Sequence, residues 1–407
     1  MSISALFPGM EAYLDGDVEI NNNVTTPEED AAHEVEAADQ TADIATDAGE
    51  VETDVKNDDV ATQMLLRTGR LYYHVKKYGV DRTFLRLYNQ HGEMDRMCGI
   101  QFPSCESMNA TGNPYSRYSA AFIAAMEDEK TGFWAKIWQW IQDAWKWLKD
   151  HIAALWNKIL QFFGVRARDL KKLISEIEQK YDTNAEVTLA KGSKLSLAVD
   201  PAKNPVNKLL MKDYASNKSL DKTIFQTLNA IKTELNVEAF EDDDTEGEDD
   251  DLDEISKRID AYTKEVTEES EGVEVKKKLS EVLKSLNDYI TPANTFLRRQ
   301  DALKKMSEQA LKKVADVVNK AKENADDEKK KKIGETALKM TNFIKKVNGL
   351  TVVAGKFIIK TTNAYHKELR KVVKQLKPKD QPADNAGGDA SDKSGGDKNA
   401  TAMFAFL

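Results

Sequence analysis

The apolar residues of this chain recur mostly at intervals of three and four, the spacing of one face of an α-helix. The pattern covers residues 59–79, 132–164, 169–181 and 255–376. The run VTLAKGSKLSLAV at 187–199 instead alternates, and we interpret it as a small hairpin. The sequence therefore predicts a mainly α protein that ends in long helices.

The densest apolar pattern is GFWAKIWQWIQDAWKWLKDHIAALWNKILQFFG, residues 132–164, which contains all six tryptophans. On a helical wheel its large side chains share an arc of about 120°, with Lys, Gln and Asp opposite. The candidate residues of an amphipathic interface on this arc are Trp134, Trp138, Ile141, Trp145, Leu148, Trp156 and Phe163. Three environments stay open for the arc: the core of a bundle, a docking surface for a partner protein, and a membrane surface.

Composition shifts divide the chain into eight segments. The first four are a disordered acidic leader at 1–58, a small helical subdomain at 59–100, a loop at 101–116 and an amphipathic Trp-rich helical region at 117–182. The last four are a mixed segment with the hairpin and a helix at 183–240, an acidic linker at 241–254, a long-helix bundle or coiled coil at 255–377 and a disordered tail at 378–407.

The charges of the chain are distributed unevenly. Residues 1–106 hold 21 Asp and Glu against 8 Lys and Arg, a net charge of −13, whereas residues 107–407 hold 48 acidic and 51 basic residues, a net charge of +3. Such asymmetry is typical of a polyanion partner or an acidic tail. A cut near residue 106 would therefore change the sign of the larger fragment.

The basic residues concentrate near the C-terminus. Residues 329–377 hold 14 Lys and Arg against 2 acidic residues. Lysine-rich helices can bind nucleic-acid phosphates without reading sequence, although a merely solvated face is the alternative. The candidate DNA contacts are Lys329, Lys330, Lys331, Lys332, Arg370 and Lys371.

No motif of the sequence indicates catalysis. It contains no P-loop, GxGxxG, HExxH or GxSxG, so we expect neither an enzyme nor a cofactor. Cys98 and Cys105 cannot build a metal site with five scattered histidines. No apolar run reaches the length of about 20 residues that a membrane span needs.

The segment 101–114 has the character of a protease substrate. Pro103 breaks any helix, and Gly112-Asn113-Pro114 adds a turn signal, so we expect an extended, exposed loop.

The run YGVDRTFLRLYNQHGEMDRMCGIQFPSCESM at 78–108, followed by the Trp-rich helix, resembles the internal head (inner-body or prohead-core) proteins of giant tailed bacteriophages. The resemblance implies an N-terminal propeptide that directs the chain into the prohead. It also implies a head-maturation protease that cuts after a small residue, any residue and Glu. Ser104, Cys105 and Glu106, followed by Ser107, fit this rule as a cleavage site.

The resemblance thus implies a structural protein of the head interior, made in the host cytoplasm and processed during assembly. Its implied partners are capsid or inner-core proteins and the head-maturation protease, for which this chain is a substrate. Non-specific DNA contact, peripheral membrane contact and self-association are further expectations. Ejection with the DNA stays open. The alternatives are a membrane-active delivery protein using the Trp helix, a transient prohead scaffold and an unrelated cellular adaptor.

Overall fold

The computed structural model describes residues 27–81, 84, 114–128, 132–200, 220–237, 246–268, 272–376 and 378–379. Helices dominate these residues, which confirms the mainly α prediction. The elements are α1 (Pro27–Tyr78), α2 (Pro114–Glu127), α3 (Phe133–Trp147), a π-helical segment (Leu148–Ile152), α4 (Ala153–Lys180), β1 (Glu186–Leu189), α5 (Lys194–Ala198), α6 (Leu220–Glu234), α7 (Glu246–Thr267), β2 (Val275–Lys278), α8 (Leu279–Asn324) and α9 (Asp327–Val373).

Helix α9 is the centre of the fold. The Asp326 side chain caps its first turn by accepting a hydrogen bond from the backbone N–H of Lys329, and Arg370 and Lys371 lie in its last turn. Both features suit the helix dipole. Helices α1, α3, α4, α7 and α8 all pack on α9, and every residue from 340 to 355 is buried. The middle of α9 is therefore enclosed by other helices.

Helices α8 and α9 form an antiparallel pair that confirms the long helices expected near the C-terminus. Only two residues separate them. Near the middle of the pair Asn348 donates to the Ser307 hydroxyl, and farther from the connecting turn the Tyr289 hydroxyl donates to the carbonyl of Ile358. These buried polar contacts, together with a buried apolar stripe on both helices, fix their register.

Helix α1 runs antiparallel to α9 over nearly its full length. The residue numbers of contacting partners rise on α1 while they fall on α9. The contacts are Thr41 with Asn363, Val55 with Gly349, Arg70 with Glu335 and Lys76 with Asp327. A Cβ added to Gly349 would lie 2.7 Å from Val55 Cγ2, so the glycine permits this close approach.

The prediction of disorder for the leader is wrong for residues 27–58, which belong to α1. Their apolar side chains are small and widely spaced, and Ala37, Ile44, Ala48 and Val51 are all buried in the core. This stripe of helical spacing is too weak to order a helix alone, and its stability comes from packing on the rest of the chain. Residues 59–78 continue the same helix, so they form no separate subdomain.

Three other boundaries also differ from the sequence-based expectation. The hairpin at 187–199 is wrong, because β1 pairs antiparallel with β2 and residues 194–198 form α5. Residues 246–254 of the expected linker are the first turns of α7. Residues 114–116 of the expected loop begin α2, since proline suits the first helical position. The remainder of the loop, 101–113, and residues 380–407 of the tail lie outside the described residues.

The core prediction concerns Ile159 on α4, whose side chain is 0% exposed. We expect Ile159→Ala to lower the free energy of unfolding by about 2–5 kcal/mol, because it removes packed methylenes and leaves a cavity. Urea denaturation measures the change. The matched control is Val165→Ala on the same helix, where the valine is 46% exposed, and we expect a change within about 0.5 kcal/mol. Equal effects of the two substitutions would contradict the packing described here.

Candidate functional site

Oppositely charged side chains line the contact between α1 and the rest of the protein. We call α1 the leader helix and residues 114–376 the body. The acidic part of the leader helix, residues 27–59, carries 13 Asp and Glu and one Lys. Ion pairs join this part to the body, namely Asp47 with Lys158, Asp58 with Lys345 and Asp59 with Lys346, and Glu34 contacts the imidazole of His366.

Lys345 of α9 lies in a cage formed by three helices. Its side chain is 6% exposed, and its ammonium group donates to Asp58 of the leader helix at 2.5 Å. The same nitrogen lies 4.6 Å from the ring centroid of Trp140 and 5.6 Å from that of Trp147. Two indole faces and one carboxylate thus compensate a buried positive charge.

Lys346 is held from two sides. Its side chain is 7% exposed, and its nitrogen lies 3.2 Å from Asp59 of the leader helix and 3.0 Å from Asp260 of α7. Asn342, one turn earlier, donates to the same Asp59 carboxylate. Burial raises the pKa of Asp58, although the Lys345 ammonium group opposes this shift. The Asp58–Lys345 pair therefore lies where water solvates charge poorly, and removing one member leaves the other uncompensated. The carboxylates that hold Lys346 are more exposed, with 42% of the Asp59 side chain and 58% of the Asp260 side chain open to solvent.

A second charged cluster lies near the N-terminal end of the leader helix. Glu34 is 2.9 Å from Nδ1 of His366 on α9. Burial lowers the pKa of His366, and Arg370 and Arg166 lower it further, whereas Glu34 and Asp169 oppose them. Arg166 of α4 is 4% exposed, and its Nε and Nη2 have no hydrogen-bond acceptor among the described residues.

The other end of the leader helix is joined to both α2 and α9. Lys76 lies 2.9 Å from Glu127 and 2.9 Å from Asp327. The hydroxyl of Tyr72 donates to the same Glu127 carboxylate, and burial, with this hydrogen bond, raises the pKa of Tyr72 to about 12. These contacts fix the end of the leader helix against the body.

The structure places the predicted tryptophan arc against the core of this chain. Ile141, Leu148, Trp156 and Phe163 are buried, and Trp134, Trp138 and Trp145 are partly buried and pack against the same core. The indole N–H groups of Trp140, Trp147 and Trp156 have no acceptor among the described residues. No helix within the described ranges is long and apolar enough to span a membrane.

The basic candidates do not form one patch. Lys329 to Lys332 lie in the first turns of α9, whereas Arg370 and Lys371 lie in its last turn. A helix rises about 1.5 Å per residue, so the two groups are roughly 60 Å apart along α9. Ser104, Cys105, Glu106 and Ser107 of the candidate cleavage site lie outside the described residues.

Sequence reasoning did not find the residues that the structure brings together. The pairs Asp58 with Lys345 and Glu34 with His366 are separated by 287 and 332 residues. The available signal was coarse, namely an acidic N-terminal part and a basic stretch at 329–377. Across the described ranges, no cluster of three or more His, Cys, Asp or Glu side chains could hold a metal ion.

Comparison with protein families gives one match. The model of the phiKZ-like phage internal head proteins matches residues 19–404, nearly the whole chain. No curated protein and no solved structure matches this chain. The family match spans the leader helix and the body alike.

The first prediction from this site concerns Lys345. We expect Lys345→Ala to lower the free energy of unfolding by about 3–5 kcal/mol, because Asp58 stays buried without its partner. Chemical denaturation measures this change in the free energy of unfolding. The control is Lys367→Ala on the exposed side of α9, for which we expect a change within about 0.5 kcal/mol. A Lys345 variant as stable as this control would show that the pair contributes nothing.

The second prediction concerns pH. An unfolded His binds a proton as the pH falls below its ordinary pKa of 6.5, whereas His366 in the fold resists protonation. The contribution of His366 is therefore full above pH 6.5 and declines as the pH falls from there toward its lowered pKa. We expect His366→Asn, whose Nδ2 takes the position of Nδ1 and still donates to Glu34, to lose less thermal stability than the native protein between pH 7.5 and 5.5. Parallel losses in both proteins would contradict this assignment.

Proposed function

This chain belongs to the phiKZ-like phage internal head proteins, which lie inside the phage head as structural proteins of the virion, and we propose that its residues 1–106 are a propeptide. The head-maturation protease removes this propeptide by cutting between Glu106 and Ser107. The observation that carries the proposal is the position of this bond, which joins a part with a net charge of −13 to a part with a net charge of +3.

The position of the bond relative to the helices supports the proposal. It lies between the end of the leader helix at Tyr78 and the start of α2 at Pro114. One cut there separates α1 from the body and leaves every other described helix on one chain. A cut inside α1 or α2 would instead break a packed helix.

The competing small-x-Glu triplets are less suited to cleavage. Ala48-Gly49-Glu50 lies inside the leader helix with Ala48 buried, and Ala125-Met126-Glu127 lies at the end of α2 with Met126 buried. Proteases cut exposed, extended segments, so a packed helix must unfold locally first. Ala32-His33-Glu34 and Ala321-Lys322-Glu323 lie inside α1 and α8, and Gly9-Met10-Glu11 and Ala239-Phe240-Glu241 lie outside the described residues.

Cleavage alone does not release the leader helix. After the cut, α1 is still held by its buried pairs with α9 and by apolar residues such as Leu65 and Leu71. The immediate product is therefore a two-chain complex. Leaving this complex requires a competitor for the charged contacts or a change in conditions.

Contacts with capsid or inner-core proteins, self-association, DNA contact and ejection with the genome are further parts of the proposal. They follow from the place of the family in the head. The membrane-delivery alternative has less support, because the tryptophan arc would first have to leave the core that it shares with α9. The scaffold alternative differs in one respect, since a scaffold is absent from finished particles.

The test is mass spectrometry of purified virions. We expect peptides that begin at Ser107 and few peptides from residues 1–106. In phage carrying Glu106→Gln, the protein should retain residues 1–106. In the control phage carrying Glu50→Gln, a change at a triplet inside α1, residues 1–106 should be removed as in the native protein. Full-length chains in mature particles would overturn the proposal, and complete absence of the protein would favour the scaffold alternative.

A further inference from the structure

Arg166 is the feature of the described residues that the proposed function leaves unexplained. Its guanidinium group is buried, yet Nε and Nη2 have no hydrogen-bond acceptor among the described residues, and Nη1 lies 3.8 Å from the Asp169 carboxylate, a long ion pair. A buried donor without an acceptor usually costs about 1–3 kcal/mol. Such a donor indicates a site where a ligand with more acceptor oxygens would form the missing hydrogen bonds.

The groups around Arg166 are those of an anion site. Arg370 lies close enough to affect both Arg166 and His366 electrostatically, and Nδ1 of His366 bonds to Glu34. Glu34 is the one hydrogen-bonded anion that the structure describes at His366, and it comes from the leader helix. Carboxylates and phosphates both pair with arginine in the bidentate mode, but a phosphate group presents more acceptor oxygens and can serve several donors at once.

The cluster belongs to a longer row of cations beneath the leader helix. Lys158 on α4 and Lys345 and Lys346 on α9 bond to Asp47, Asp58 and Asp59. From Lys345 to Arg370 the row extends about 37 Å along α9, at about 1.5 Å per residue. Carboxylates of one helix thus occupy successive positions along a row of cations that runs from the exposed Lys158 to the buried Lys345 and Lys346.

We propose that this row is a binding site for the phosphates of double-stranded DNA, and that the carboxylates of the leader helix hold the phosphate positions until the leader leaves. The site consists of Lys158, Arg166, Lys345, Lys346 and Arg370. This inference rests on the proposed function, since cleavage after Glu106 is the event that lets the leader leave.

Cleavage leaves the contacts between the leader helix and the body unchanged, but it weakens the leader helix as a competitor of DNA for the site. In the intact chain the leader helix is tethered, so its effective concentration at the site is in the millimolar range. After the cut the leader can diffuse away once displaced. DNA at high concentration then replaces the leader by mass action, and each neutralised phosphate releases counterions.

The test uses full-length protein in which a site-specific protease sequence replaces residues 104–107. A 30-base-pair duplex is titrated before and after the cut, with fluorescence anisotropy reporting DNA binding and size-exclusion chromatography reporting the leader. We expect at least tenfold tighter binding after the cut, with the leader released as DNA binds. We also expect log K to fall with log salt at a slope of about −4.5, for five phosphate contacts.

Paired variants identify the site. Arg166→Gln with Arg370→Gln should weaken DNA binding by the cut protein at least fivefold and reduce the salt slope by about 2. The control Arg298→Gln with Lys320→Gln removes two exposed charges elsewhere on α8 and should change the affinity less than twofold. Inorganic phosphate up to 10 mM should not release the leader, because single ions lack the linked contacts of a duplex.

A further pair tests the leader itself in the uncut chain. Asp58→Asn with Asp59→Asn should raise DNA affinity at least threefold, whereas Asp39→Asn with Glu50→Gln, which removes two exposed leader charges, should not. Thermal unfolding of each variant shows whether a change in DNA affinity results from loss of the folded structure. Equal DNA affinity before and after the cut, or release by phosphate alone, would overturn the inference. Since the protease site is engineered, these outcomes do not depend on whether Glu106 is cut in virions.

Discussion

The fold depends on enclosing α9 on all sides while two of its lysines lie in the enclosed part. Lys345 and Lys346 cannot reach solvent, and an uncompensated buried ammonium group costs several kcal/mol. Compensation comes from segments far apart in sequence, namely Asp58 and Asp59 of the leader helix and Asp260 of α7. Two of these three carboxylates therefore come from the leader helix, and its acidity contributes to the stability of the intact fold.

The same requirement accounts for two of the six tryptophans of the Trp-rich helix. A core of Leu and Ile would bury as much apolar surface, but it would offer no electron-rich face to Lys345, as Trp140 and Trp147 do. Their indole N–H groups remain without acceptors in the described structure, a cost that an aliphatic core would avoid. The π-helical segment Leu148–Ile152 directly follows Trp147. Its wider turns shift the phase of the helix, and Trp147, Leu148 and Ile152 are all buried.

Periodicity was sufficient to predict the helical class and the long C-terminal helices, because those apolar stripes are built from large side chains. It failed for residues 27–58, whose stripe of Ala37, Ile44, Ala48 and Val51 is visible only once its partner is known. The alternation at 187–199 marked β1 correctly, but no local signal indicates that its partner is β2, about 90 residues away. Charge counting separated an acidic part from a basic one. That the two parts pair, residue by residue, depends on an antiparallel register that only the folded chain defines.

The contacts of the leader helix also differ in kind along its length, and this difference bears on how it can leave. Residues 27–59 contact the body through small apolar side chains and through the carboxylates that face cations. Residues 64–75 instead bury large groups, including Leu65, Leu71 and Tyr72. Ion pairs respond to salt and to competing polyanions, whereas apolar burial does not. If the leader leaves as proposed, a polyanion would detach its N-terminal end first and would uncover Arg166 and Arg370 before Lys345. The end nearest the proposed cut, held by apolar packing, would separate last.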